Sequence, residues 1–302
     1  MDGRKDRLDG LAVGLLVLCC LLWGINHAAA KIALAEIPPL MQAAARSAGA
    51  AVLLLAWSQW RGLPIWRADG TWRGGLAAGL LFASEFAMIF IGLQYTAASR
   101  MIVFIYLSPF VVALGMPLIS RHERLDAGQW AGLLVAFAGV VWAFFEGFAR
   151  PTQGELQWLG DALGIAAGVT WGLTTLVLRG TRLSVALPEK ALLYQLVVSA
   201  AALGAGSMAT GETWPVQVSA LSMGSLAFQT VIVTFASYLV WFWLVRHYPT
   251  TRVSAFLLLT PPFGLMAGVL MLGEPLTLRL AVAVAAVTAG IALVNRRPAA
   301  AA

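Results

Sequence analysis

The most constraining feature is a succession of ten apolar runs, each about twenty residues long, separated by short stretches of charge, Gly and Pro. They cover about 11–33, 39–60, 73–95, 99–119, 128–148, 158–178, 190–210, 220–246, 252–272 and 276–295. A helix needs roughly 20 apolar residues to cross the hydrocarbon core of a bilayer, so each run is long enough to span it. Composition excludes a soluble protein with unusually long core helices. Only 34 of 302 residues (11%) are charged, against about 25% in soluble domains. Such a chain cannot cover its own surface with polar groups in water. The expected architecture is an all-α integral membrane protein of ten transmembrane helices, with the lipid bilayer as its solvent. The first run follows Arg4, Lys5 and Arg7 as a signal peptide would. It is too long for that role and no small-residue cleavage site follows, so it reads as a retained helix.

Ten spans place both termini on one side. That side collects fifteen of the twenty Lys and Arg residues, and the other holds Lys31, Arg100, Arg150 and Arg279, with Arg46 inside the second span. The positive-inside rule then makes both termini cytoplasmic. Orientation alone accounts for the net charge of +6, so no nucleic-acid partner is expected.

The two halves of the chain resemble each other. Trp23-Gly24 with Lys31 matches Trp171-Gly172 with Arg179; Arg100 to Ser108-Pro109 matches Arg252 to Thr260-Pro261; and Glu123 to Gly139 matches Glu274 to Gly290. The offsets are 148, 152 and 151 residues. Five spans per half is an odd number, so residues 1–150 and 151–302 form two five-helix repeats of inverted topology, together one transport domain. Secondary transporters build paired gates around a midplane site in this way.

These residues carry a resemblance. The Trp-Gly of spans one and six, the Ser/Thr-Pro of spans four and nine, and the acid opening spans five and ten are similar to the drug/metabolite transporter superfamily, EamA type. The run Leu93-Gln94-Tyr95-Thr96-Ala97-Ala98-Ser99 before Arg100 resembles that family's junction between spans three and four. Within the superfamily the chain most resembles bacterial inner-membrane aromatic amino-acid exporters of the YddG kind. The resemblance implies export of small metabolites across the bacterial inner membrane by alternating access.

Polar side chains inside a span face a cavity or another helix, because facing lipid is costly. Trp23, Asn26, His27 and Ala30 share one face of span one, and Trp171, Thr174, Thr175 and Leu178 repeat it in span six. Phe82, Glu85, Phe86 and Phe90 align in span three, answered by Thr234, Ser237, Tyr238 and Trp241 in span eight. The candidate substrate-binding residues are therefore Trp23, Asn26, His27, Glu85, Phe86, Phe90, Trp171, Thr174, Thr175, Ser237, Tyr238 and Trp241. Against this, a Thr or Ser often bonds its own i−4 carbonyl, and each aromatic alone reads as packing or interfacial belt before ligand stacking. Glu85 reads as an anchor for a substrate ammonium, a proton site, or a neutral acid bonded to a neighbour, with His27 the nearest candidate partner and Arg46 a somewhat shallower one. Arg46 is either a gate or an orienting charge that snorkels to the outer face. Pro109 and Pro261 either hinge spans four and nine or fit a bent packing. Gly75-x3-Gly79, Gly164-x3-Gly168-x3-Gly172 and Gly264-x3-Gly268 are close-approach faces, read as packing inside the bundle.

The leading function is a secondary carrier for small metabolites, with aromatic or other apolar amino acids as the expected substrate class. A drug or other metabolite exporter of the same fold, and a channel or lipid scramblase, remain alternatives. An intramembrane enzyme would need a nucleophile–base pair or converging acids, and one deep acid with one deep histidine is too little. Cys19 and Cys20 are adjacent and His27, His122 and His247 are scattered, so no metal site is expected. No Walker motif, Gly-rich phosphate loop or nucleotide domain is present, which excludes direct ATP drive, and no cofactor is expected. The oligomeric state reads as monomer or homodimer.

Overall fold

The computed structural model describes residues 5–92, 95–96, 98–143, 145, 154–264, 266 and 278–296. Those residues form helices α1 (Gly10–Leu34), α2 (Pro39–Trp60), α3 (Trp72–Gly92), α4 (Ala98–Ile105), α5 (Ser108–Ile119) and α6 (Ala127–Ala143) in the first half. The second half supplies α7 (Gln157–Gly180), α8 (Pro188–Ala209), α9 (Ala220–Phe228), α10 (Tyr238–His247), α11 (Thr250–Ala255) and α12 (Leu278–Asn295). Among the described residues, seven stretches are long and apolar enough to cross a membrane, including Arg100–Ile119 and Ala220–His247. Two shorter apolar stretches, Ala127–Trp142 and Val284–Asn295, accompany them. The expected ninth span begins with α11, and most of its second half lies outside the described residues.

Helix starts and stops follow local chemistry. The Asp9 carboxylate caps α1 by accepting the Ala12 amide at 2.9 Å. Pro39 and Pro188 open α2 and α8 in the first turn, where a missing amide proton costs nothing. After these two helices the chain turns at Gly62 (φ 61°) and Gly211 (φ 76°), a left-handed conformation that glycine adopts without steric cost. Gly62 and Gly211 hold equivalent places in the two halves.

The packing has the symmetry the repeat implies. α3 lies on α7, and its image, the α9–α10 span, lies on α1. α3 also lies on α8, matched by α2 against the segment joining α9 to α10. α2 with α8 and α6 with α12 pair each helix with its own image. Apolar surface does not drive association in lipid, so close backbone approach does. A Cβ on Gly132 would stand 2.6 Å from the Gly290 carbonyl oxygen, and one on Gly290 would stand 2.4 Å from that of Gly132. Only glycine at both places lets α6 and α12 meet.

Spans four and nine are not kinked helices, as their prolines suggest, but broken ones. The fourth divides between α4 and α5 at Tyr106-Leu107, and the ninth passes through a 3-10 segment, Phe256–Leu259. Pro109 sits in the first turn of α5, and Pro261 follows directly on Thr260, where the helix resumes. Neither proline removes a ladder hydrogen bond from a helix interior. Each starts a new piece of helix.

Candidate functional site

The Trp-Gly pair of each half meets the broken span of its neighbour. A Cβ on Gly24 would come within 2.7 Å of the Gly264 nitrogen, and one on Gly172 within 2.5 Å of Val111 Cβ and 3.1 Å of the Ser108 oxygen. The glycine seats the broken span, while the preceding tryptophan projects about 100° away, one helical step round, into the bundle centre. Gly164 and Gly168 continue the seat along α7 against Phe104 and Ile105. The glycine stripes thus work inside the bundle.

Trp23 is the hub of the centre. Its ring lies 5.7 Å from Tyr238, 5.5 Å from Trp241 and 6.4 Å from Trp171. Its indole N–H donates to Ser237 Oγ at 2.7 Å, and Ser237 donates in turn to the Val233 carbonyl at 2.6 Å. Tyr238 carries the array on to Phe82 at 6.0 Å, then Phe86 at 4.9 Å and Phe90 at 6.4 Å. Tyr106, at the break of span four, closes the other side against Trp171 at 5.6 Å. The four stripes read from sequence therefore converge, with α1, α3, α7 and α10 all contributing.

The serine that meets Trp23 ends a π-helical stretch, Gln229 to Ser237. Such wide turns are rare and gather at functional sites. The segment also buries Gln229, which accepts a hydrogen bond from Gln42 Nε2 at 2.9 Å and so ties this span to α2. The other predicted polar groups divide. Thr174 and Thr175 donate to the carbonyls of Thr170 and Trp171, the back-bonded arrangement. Asn26 Oδ1 and Thr234 Oγ1 are buried without hydrogen-bond partners among the described residues. His27 lies on α1 with its side chain outside the described residues, so its proposed pairing with Glu85 cannot be followed.

Arg46 departs from the snorkelling expectation. It is 3% exposed, with its guanidinium 4.0 Å over the Phe86 ring. It interacts electrostatically with Glu85, itself 5% exposed, and with Tyr238. Arg46 is the seventh residue beyond Pro39 and Glu85 the seventh before Gly92, so both stand about 10 Å from the end of the bundle away from the termini, at 1.5 Å per residue. Equal depth on neighbouring helices brings the two charges together. Residues that sequence reasoning missed here are Gln42, Gln229 and Tyr106. Gln42 was legible one turn before Arg46, on the same face of α2.

Both ends of the bundle are tied between halves. At the far end Asp161 of α7 accepts from Thr96 at 2.6 Å and from Arg100 Nε at 3.0 Å. At the end that holds the N-terminus, Glu123 pairs with Arg179 of α7 at 3.7 Å and accepts the Thr251 amide at 3.1 Å. Lys190 there bonds Asp69 at 2.8 Å and the Arg67 carbonyl. Hydrogen bonds from Lys190 and from the hydroxyl and amide of Thr71 hold the Asp69 carboxyl well below the usual carboxylate range. Glu123 is the acid that opens span five; its counterpart Glu274 lies outside the described residues. A cavity of about 550 Å3 opens elsewhere, between the start of α1, the ninth span and α12.

The EamA-like transporter family matches residues 10–145 and 158–296. An uncharacterized transporter of Bacillus subtilis, YvbV, is 28% identical over 94% of this chain and 91% of its own. A probable amino-acid metabolite efflux pump of Escherichia coli is 25% identical over 90% and 89%. A solved crystal structure that is 18% identical superposes with a TM-score of 0.82, over 95% of this chain and 96% of that one, so the fold is shared.

Proposed function

The chain belongs to the EamA-like transporter family, and from that premise we propose that it is a secondary carrier exporting aromatic or other apolar amino acids across the bacterial inner membrane. The observation that carries this reading is the aromatic array around Trp23, drawn from both halves and edged by the buried charges Arg46 and Glu85. A mostly apolar site with a few placed polar groups suits a ring-bearing amino acid. A relative named as a probable amino-acid metabolite efflux pump supports the class. Residues 1–150 and 151–302 act as two inverted repeats of one transport domain, with both termini cytoplasmic. Alternating access follows from opening the Arg100–Asp161 end and the Glu123–Arg179 end in turn.

The test is uptake into liposomes reconstituted with the full chain, screened across the twenty amino acids with and without a proton gradient. Saturable, exchange-stimulated flux favouring phenylalanine, tyrosine or tryptophan supports the reading. Preference for alanine or lysine refutes the substrate class and leaves the carrier intact. Non-saturable flux refutes the carrier.

A further inference from the structure

Among the described residues, Arg46 and Glu85 are the two charged groups at the edge of the aromatic array, and their bonding is incomplete. Arg46 Nε and Nη2 and Glu85 Oε2 are all buried without a hydrogen-bond partner among those residues. A guanidinium presents a planar fork that matches a carboxylate bidentately. A carboxylate accepts from an ammonium. An α-amino acid carries both complementary ions on one carbon, with its side chain projecting from that same carbon. Phe86 stacks under the guanidinium, and Phe82, Phe90 and Tyr238 extend the apolar face from it. Two facing charges of opposite sign leave the site neutral overall, so a zwitterion satisfies both and a single ion leaves one of them buried and unpaired.

We propose that Arg46 and Glu85 form a zwitterion clamp, in which Arg46 takes the α-carboxylate and Glu85 the α-ammonium of the substrate while its ring packs on Phe86. This deepens, and rests on, the reading of the protein as an amino-acid carrier. It assigns Arg46 to substrate recognition instead of gating. It also states what the carrier rejects: amines without a carboxylate and acids without an ammonium.

The experiment is competition against labelled phenylalanine in proteoliposomes containing the full chain. The competitors are phenethylamine, which lacks the carboxylate, and 3-phenylpropionate, which lacks the ammonium. In the wild type both should compete at least roughly 100-fold more weakly than phenylalanine, because each leaves a buried charge unsatisfied. Arg46→Gln should weaken phenylalanine and phenylpropionate and spare phenethylamine. Glu85→Gln should weaken phenylalanine and phenethylamine and spare phenylpropionate. The wild-type comparison needs no variant, so it stands even if a substitution prevents folding. Equal competition by all three ligands, or equal losses for all three in both variants, overturns the clamp while the carrier reading survives. Absence of phenylalanine transport by the wild type, with another solute carried, overturns the amino-acid reading beneath it.

Discussion

The bond from Trp23 to Ser237 provides a quantitative test of how the centre is held. Ser237→Ala removes the acceptor 2.7 Å from the indole nitrogen and leaves that N–H buried, with Trp23 only 7% exposed. An orphaned buried donor costs about 1–3 kcal/mol. In a Trp23→Phe background the same serine substitution strands nothing on the tryptophan side. There it loses only the local bond to the Val233 carbonyl, expected to matter by about 0.5 kcal/mol or less because α-helical and π-helical carbonyls are already bonded. The double-mutant cycle should therefore show a coupling of about 1 kcal/mol or more. The assay is equilibrium unfolding in mixed micelles by titration with sodium dodecyl sulfate, read by far-ultraviolet circular dichroism. Phenylalanine affinity in proteoliposomes should fall in Ser237→Ala as Trp23 loses its fixed orientation. If the serine substitution costs the same in both backgrounds, the bond does not hold the centre.

Three further outcomes follow from the same geometry. Gly172→Ala, whose new methyl would meet Val111 Cβ at 2.5 Å, should lower stability by about 1–3 kcal/mol as overpacking does, whereas Gly14→Ala, with nothing within 4 Å, should be neutral in the same melt. Ala68→Cys should be labelled by an impermeant thiol reagent only from the cytoplasm and Thr213→Cys only from outside, the native Cys19 and Cys20 being buried; labelling from one side would refute the inverted topology. The Asp9 carboxyl is held at about 2 by Lys5 and the Ala12 amide, below the 3.8 of an unperturbed Asp. Its stabilisation is thus present above pH 3.8 and lost as the pH falls through 2, so melting curves of wild type and Asp9→Asn should differ at neutral pH and converge toward pH 2.

The spans and the inverted repeat were readable because they rest on run length and on spacing, both of which survive in one dimension. The stripes on α1, α3 and α7 were readable because a regular helix keeps residues four apart on one face. The eighth span kept Ser237, Tyr238 and Trp241 in the right neighbourhood, yet nothing in Gln229-Thr230-Val231-Ile232 announces a π-helix. The breaks at Tyr106-Leu107 and Phe256–Leu259 were concealed by prolines that lie just after them. Sequence gives the depth of a residue along its helix but not the direction in which it points. Arg46 at its depth is equally able to reach the surface or the centre, and packing of α2 beside Phe86 decides it. Asp161 fell inside an apolar run and drew no attention, although it bonds Arg100 across the two halves.

The arrangement along α7 gives a broken span a part to play in the alternating access proposed above. Asp161 and Arg179 are eighteen residues apart, which is five full turns at 3.6 residues each and about 27 Å. They therefore lie on one face of α7, at opposite ends of a bilayer-deep helix. Between them on the side toward the fourth span run Gly164, Gly168 and Gly172, against which α4 and α5 rest. α4 carries Arg100, which holds Asp161; the turn after α5 carries Glu123, which holds Arg179. Each half of the broken span thus has its own latch, at its own end of the membrane. An unbroken helix held at both ends would couple the two latches through one rigid rod. The break at Tyr106-Leu107 separates the two motions, and Tyr106 at that break packs on Trp171 in the aromatic array.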